Sequence, residues 1–346
     1  MPLVLCGLGS IHVIHQILTS IVFWTVLVAG GFSVSRTPDG HPDMQGIWFF
    51  GSKTPHQRPL ELGNKRYYTE SEALALEQGA LQQHEMRAIP LNHNHEAPQA
   101  GVEIGQEADG NFEATRFKLA RINGEYRTSL IIDPPDGRLP YRKDAMDIFD
   151  RWQAAGFGEF DGPEFRPPSE RCVNGIGQVP PIIGWRYNAN LQIVQTPDHF
   201  VIAGETHPPR IIPFATEHRP HRQNQWMGDS IARWEGDALV IHTTGFNPSA
   251  SFFELKSSGE LQLRELFSLV SKDELFYRYT VTDPNIYTQP FTVEMSITRR
   301  PAGERIYEWA CHEGNYSLPG ILAGARRQES ENQPIDEPAG PTRVNP

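Results

Sequence analysis

The segment between residues 224 and 247 constrains the fold of this 346-residue chain more than any other part of the sequence. Two runs in which apolar and polar residues alternate flank Glu235-Gly236-Asp237, and the pattern ends at Gly245. Alternation with a period of two is typical of β-strands, and a central glycine permits the tight turn of a hairpin. The segment therefore predicts a β-hairpin in which the two acidic residues form the turn rather than a catalytic pair.

Runs of the same kind recur at short intervals, with few helical patterns between them. Beyond the hairpin, the expected strands cover residues 130–132, 190–195, 199–205, 211–214, 265–270, 275–282, 291–297 and 305–311. About nine short strands with few helices favour an antiparallel barrel or sandwich. We therefore expect a mainly β fold.

Two helices are expected beside these strands. Thr69 and Glu72 have the spacing of a capping box, which predicts a helical insertion at about residues 68–88. An apolar face predicts a second helix over residues 143–155. Residues 36–326 are expected to form one domain. The composition of residues 327–346 predicts a disordered tail.

Residues 11–31 are almost wholly apolar, and small residues stand at and just beyond the end of this run, at Ala29, Gly31 and Ser33. Residues 1–35 are therefore expected to be a cleaved signal peptide, with an uncleaved membrane anchor as the alternative. Both alternatives predict a periplasmic or secreted body, with membrane contact only through this segment.

The two cysteines beyond this leader, Cys172 and Cys311, are expected to form a disulfide, because an exported protein meets an oxidising environment. Two separate buried thiols are the alternative.

The formal net charge is −11, from 31 Lys and Arg against 42 Asp and Glu. An acidic surface repels phosphate backbones, which argues against a nucleic-acid partner. Nucleotide-binding glycine loops, paired Cys-x-x-Cys motifs and the Gly-x-Ser-x-Gly elbow are absent from the sequence. No cofactor is therefore expected, and the expected partner is a small molecule.

Residues 127–326 resemble a widespread uncharacterised family of exported bacterial β-rich proteins. The matching segments are 133–138 (DPPDGR), 169–172 (SERC), 192–197 (QIVQTP), 210–213 (RIIP), 226–230 (WMGDS), 234–240 (WEGDALV), 282–284 (TDP), 287–288 (YT) and 311–316 (CHEGNY). Residues 41–48 (HPDMQGIW) are similar to the opening of that family. The resemblance implies export and assigns no chemistry.

Gly46-Ile47-Trp48 also resembles the Gly-x-Trp opening of lipocalin-like barrels. That resemblance makes a barrel the favoured architecture, and it implies a mouth that holds a small apolar molecule. Trp48 is then a candidate ligand contact.

Strand pleating places Glu205 and His207 on one face, which would form a proton-transfer couple if that face points inward. The alternative is that this face is exposed to solvent. Arg210 follows and is a candidate for stabilising developing negative charge.

Asp229 precedes the hairpin strand, close to the candidate ligand contact Trp226. It is a candidate acid or base, with a turn-stabilising role as the alternative.

His312 and Glu313 follow Cys311, and Tyr316 is a further candidate ligand contact. A disulfide would bring these residues close to the segment 169–171. A purely structural role is the alternative.

His93, His95 and Glu96 have a spacing that could hold a metal with other histidines, namely His207, His218, His221 and His242. The segment reads as a loop and no matching pattern recurs, so no metal site is predicted.

The function expected from these residues is that of an exported cofactor-independent lyase, isomerase or hydratase that acts on a small, partly apolar molecule. The alternatives are a carrier for a small hydrophobic ligand and a structural envelope protein.

Overall fold

The computed structural model describes residues 33–87, 118–173, 180–184, 188–219, 224–250 and 255–331. The helices in these ranges are α1 (Glu70–Arg87), α2 (Ile148–Ala154) and α3 (Ser317–Ser330). The strands are β1 (Gly46–Phe49), β2 (Tyr67–Tyr68), β3 (Arg121–Ile122), β4 (Glu125–Arg127), β5 (Ile131–Asp133), β6 (Asn190–Gln195), β7 (His199–Gly204), β8 (Arg210–Pro213), β9 (Asp229–Glu235), β10 (Ala238–Thr244), β11 (Gln262–Ser271), β12 (Glu274–Thr282) and β13 (Phe291–Arg299).

Nine strands form a nearly closed antiparallel barrel, in the order β8-β7-β6-β1-β13-β12-β11-β10-β9. Each neighbouring pair is antiparallel, so with an odd number of strands the first and the last run in the same direction. β8 and β9 accordingly meet through a parallel bridge between Phe214 and Ala232. The mainly β fold and the barrel predicted from the sequence are confirmed. The small strands β2, β4 and β3 form a separate sheet.

The predicted hairpin is the pair β9–β10. Glu235 pairs with Ala238, so Gly236 and Asp237 make a two-residue turn, and Gly236 has a φ of 63° that favours glycine. Asp237 forms an ion pair with Arg36 at 2.9 Å between Oδ2 and Nη2. The two acidic residues therefore lie at the turn, as expected.

One expected strand is absent: residues 305–311 have no strand structure. The edge of β13 that does not pair with β12 is occupied by two other strands. β1 pairs with it near Arg299, and β5 pairs with it near Val293. Because that edge is occupied, the alternating segment has no partner, and its Tyr307 is 82% exposed.

About every second side chain along β11, β12 and β13 points into the barrel and is buried. The largest side chains that are fully buried include Trp48, Leu191, Ile193, Phe200, Phe267, Tyr277, Tyr279 and Phe291. Barrels of eight or nine strands have interiors that side chains can fill. The described interior is thus mostly packed core, with one polar cluster.

The helices match the sequence expectations in part. Thr69 and Glu72 exchange capping hydrogen bonds at the start of α1, as predicted. α2 is shorter than expected, because Asp147 and Asp150 form a capping box that begins the helix at residue 148. α3 was not expected, and it extends over residues 327–330 of the expected tail, whose residues 332–346 lie outside the described ranges.

Within the described ranges, no helix is both long enough and apolar enough to cross a membrane. Most of the predicted leader, residues 1–32, lies outside the described residues.

Candidate functional site

Three polar side chains form a hydrogen-bonded chain on the outer face of the barrel. Asp229 begins β9, His242 lies on β10, and His218 lies between β8 and β9. Asp229 Oδ2 is 2.9 Å from His218 Nδ1, and His218 Nε2 is 2.9 Å from His242 Nδ1. The hairpin register pairs His242 with Ile231, which places His242 and Asp229 on the same outward face.

Asp229 is buried, with a side chain 4% exposed, yet it is held as a carboxylate. Burial alone would raise its pKa, but hydrogen bonds from Arg219 and His218 outweigh that effect, and the pKa of Asp229 is lowered. Arg219 Nε and Nη2 lie 2.8 and 2.6 Å from Oδ1. Asp229 is therefore charged at neutral pH and accepts each of these hydrogen bonds.

The charged carboxylate determines which ring nitrogen of His218 carries a proton. Because Asp229 only accepts, His218 donates from Nδ1 and its Nε2 carries the lone pair in the neutral ring. With His218 neutral, His242 donates from Nδ1 to His218 Nε2, and with His218 protonated the direction of this hydrogen bond reverses. A proton can pass along this chain, as in a carboxylate–histidine arrangement that holds an imidazole in its working tautomer.

A second polar cluster lies inside the barrel. Arg210 Nη2 and Nη1 contact the two Glu265 carboxylate oxygens at 2.7 and 3.1 Å, and both side chains are buried. Tyr277 Oη donates to Glu265 at 2.8 Å and accepts from the Ile182 amide at 3.1 Å. Burial and the neighbouring Glu265 raise the pKa of Tyr277 well above its usual value. Ser230 and Thr243 complete the cluster, in which Arg210 Nε is the one buried guanidinium nitrogen without a hydrogen-bond partner among the described residues.

Glu205 and His207 follow the end of β7 at Gly204, so strand pleating does not set their directions. Glu205 accepts hydrogen bonds from the backbone and side-chain amides of Asn190 at 2.9 and 3.1 Å. His207 Nδ1 lies 2.6 Å from the Pro208 carbonyl oxygen. Burial lowers the pKa of His207 to about 4, so the ring is neutral at pH 7. The two side chains have different partners in the structure.

The disulfide between Cys172 and Cys311 is present, with the Cα atoms 5.6 Å apart. It joins the segment before α3 to the segment 169–172, and a cavity of about 340 Å³ lies beside it. The cavity is lined by both segments, with Glu170 on one side and Glu313 and Asn315 on the other. His312 is exposed, and Tyr316 is 84% exposed.

Trp48 and Trp226, the two tryptophans expected to contact a ligand, do not belong to either polar cluster. Trp48 is fully buried, its Nε1 donates to the Met44 carbonyl at 2.8 Å, and Arg299 stacks over its ring at 4.1 Å. Trp226 is half-buried beneath the guanidinium of Arg171, 5.5 Å from its ring centre. Trp48 therefore acts as a core residue in this fold.

Of the histidines considered for a metal, His93, His95 and His221 lie outside the described residues, as does Glu96. In the part of the chain that the structure describes, no group of three or more potential ligands could hold a metal ion. The sequence suggested His218 and His242 only as possible metal ligands. In the structure they instead form a hydrogen bond with each other beside Asp229. Arg219 was not identified from the sequence.

Comparison with known proteins does not assign a function to this arrangement. No protein-family model matches the chain, and no curated protein shows a significant match to it. The fold and the site therefore define a nearly closed nine-stranded antiparallel barrel with a buried interior ion pair and a histidine chain on its outer face.

Proposed function

We propose that the protein is an enzyme that adds or removes a proton on a small, partly apolar molecule, with lyase, isomerase or hydratase chemistry. The observation that carries this proposal is the chain from Asp229 through His218 to His242, in which both links are 2.9 Å long. Of the polar clusters described, this one combines two imidazoles with partial exposure, whereas the Arg210–Glu265 network is enclosed.

The residues of this hydrogen-bonded chain have distinct roles in the proposal. Asp229 fixes the tautomer of His218, and Arg219 keeps Asp229 charged. His218 and His242 share a proton, and His242 exchanges it with the substrate. Histidine suits this role because its pKa lies near neutral pH, so both protonation states are populated.

Deuterium exchange tests the proposal, because lyase, isomerase and hydratase reactions can all begin by removing a proton from carbon. We expect the protein to accelerate deuterium incorporation from D₂O into phenylacetone or phenylpyruvate, followed by proton NMR. Asp229→Asn and His242→Gln should each reduce this acceleration by about 100-fold, the usual contribution of general acid–base catalysis.

His199→Gln is the matched control, because His199 is also a half-exposed strand histidine but lies on β7. It should leave the exchange rate unchanged. Equal rates for the wild-type protein, the His242 variant and an imidazole buffer would argue against acid–base catalysis at this site.

A binding function is the second candidate, and the open surface cavity beside the disulfide is the candidate site for it. Its volume of about 340 Å³ is at the lower end of the range for small-molecule sites. Native mass spectrometry of the purified protein would reveal a retained small molecule, and Glu313→Gln should weaken its retention if the cavity holds it.

Both functions are proposed for the periplasm or the extracellular space. The disulfide indicates an extracytoplasmic protein, because reducing pools keep cytosolic thiols reduced. The apolar leader expected at residues 1–35 supports the same location.

A further inference from the structure

The outer face around His242 is defined by the registers of β9, β10 and β11. Arg264 of β11 is directly opposite His242, so the two side chains leave the sheet about 5 Å apart. In the next outward row, Val240 lies between Arg233 and Leu266. A molecule beside His242 would therefore meet arginines and the half-buried Leu266.

The charges on this face do not balance. Arg233 holds Glu235 closely, with Nη2 and Nε at 2.6 and 2.9 Å from Oε1. Arg264 reaches the other oxygen of Glu235 only at 3.4 Å, and its side chain is 46% exposed. Among the described residues of this face, two guanidinium groups thus share one carboxylate, which leaves an excess of one positive charge.

This excess stands out because the whole chain has a net charge of −11. Asp229 does not offset it, because Arg219 already neutralises that carboxylate at 2.6 Å. A local cation on an acidic protein attracts small anions to one face. A guanidinium also matches the planar geometry of a carboxylate, to which it donates two parallel hydrogen bonds.

We propose that this face binds the carboxylate of a small, partly apolar acid, with Arg264 as the residue that selects the anion. The inference rests on the proposed function of His242 and names the substrate class of that site. The carboxylate lies against Arg264, an apolar group lies on Leu266, and the reacting carbon lies at His242. The single excess charge favours a monoanion over a phosphate dianion, which would leave a negative charge unmatched.

Binding is tested on the full chain with phenylacetate, and with phenylacetamide as a neutral molecule of nearly the same shape. We expect phenylacetate to shift the imidazole NMR signals of His242, and to bind more tightly than the amide. Arg264→Gln should weaken phenylacetate binding about tenfold, because one charge-assisted pair is lost, and should leave phenylacetamide binding unchanged. Arg264→Lys should restore part of the affinity, since the charge returns without the planar fork.

Arg142→Gln is the matched control, because Arg142 has a similarly exposed side chain, at 41%, and pairs with one carboxylate among the described residues, that of Asp144. It should not change phenylacetate binding. Equal affinities for the acid and the amide, or an unchanged affinity in Arg264→Gln, would overturn the proposal. Tighter binding of phenyl phosphate than of phenylacetate would also overturn it.

The outcome for this inference can be separated from the outcome for the proposed function. If Arg264→Gln abolishes the preference for the acid while His242→Gln leaves deuterium exchange unchanged, the anion site stands and the acid–base function fails. If His242→Gln abolishes exchange and the acid shows no preference over the amide, the function stands and the substrate class is wrong.

Discussion

Individual ionisable residues acquire their properties in this protein from burial and from their partners. Asp229 and His207 are both buried, but Asp229 has cationic partners and stays charged, whereas His207 has a carbonyl and stays neutral. Arg210 and Glu265 lie inside the barrel, where each has the other as its ion-pair partner. Residue type alone therefore does not decide which of these groups can exchange a proton near neutral pH.

His207 makes the stability of the protein depend on pH. Its pKa is about 4 in the folded protein, against about 6.5 in the unfolded chain, so below pH 6.5 the unfolded chain binds the additional proton. Its contribution is complete above about pH 6.5 and is lost as the pH falls towards 4. We expect the free energy of unfolding to fall by about 3 kcal/mol across this window, measured by urea denaturation at a series of pH values.

His207→Gln should flatten this dependence, even if it lowers stability at pH 7. Asp229 does not interfere, because its lowered pKa places its titration below the window. His199→Gln, in which a half-exposed histidine is removed, should keep the wild-type slope. An unchanged slope in His207→Gln would show that another group is responsible.

At the scale of elements, local signals were sufficient for hairpins and insufficient for pairings between distant segments. The turn at Gly236 and the alternation around it predicted β9 and β10 correctly. The same alternation over residues 305–311 predicted a strand that does not exist, because β1 and β5 occupy the edge of β13. A strand needs a partner as well as a pattern.

The disulfide links the segment that precedes α3 to Cys172, 139 residues earlier in the sequence. Asn315 strengthens this link, because its side-chain amide donates to the Glu170 carbonyl at 3.2 Å. Cys311→Ser should therefore release the segment before α3, with a loss of about 2–4 kcal/mol in the free energy of unfolding. Trypsin should then cleave near Arg305 faster than in the wild-type protein.

Reduction provides the control for this prediction. A dithiol such as dithiothreitol should reproduce the faster cleavage in the wild-type protein and should change nothing in Cys311→Ser. Equal cleavage rates before and after reduction would mean that packing alone holds the segment.

For the whole molecule, the barrel is continuous except at one seam. β12 has strand partners on both sides along its length, whereas in the described part of the chain β8 and β9 are joined by one bridge pair. An odd number of strands makes this closing pair parallel, and parallel pairing is slightly weaker per residue. The seam is therefore the part of the wall that we expect to open first.

Amide hydrogen exchange measures this difference. We expect the amides of β8 to exchange through local opening, and those of β11 and β12 to exchange only with global unfolding. Adding urea at low concentration should then accelerate exchange in β12 while leaving exchange in β8 nearly unchanged. Equal protection across β8 and β12 would show that the barrel opens as one unit.

The candidate site was only partly accessible to sequence reasoning. Asp229 was identified, and the register of the hairpin implies that His242 shares its face. The approach of His218 and Arg219 could not be predicted, because both come from a loop whose path depends on where β8 meets β9. The partners of Glu205 and His207 were also unpredictable, since β7 ends before both residues.

The sequence by itself determined the mainly β class, the β9–β10 hairpin, the cap of α1 and the cysteine pair, because each depends on short-range patterns or on the only cysteines beyond the leader. The tertiary structure alone decided which strand lies beside β13, that Trp48 is core, and that Arg210 and Glu265 meet inside the barrel. It also placed two histidines beside Asp229. Those outcomes depend on contacts between residues far apart in the chain, and such contacts are selected by the closure and packing of the whole barrel.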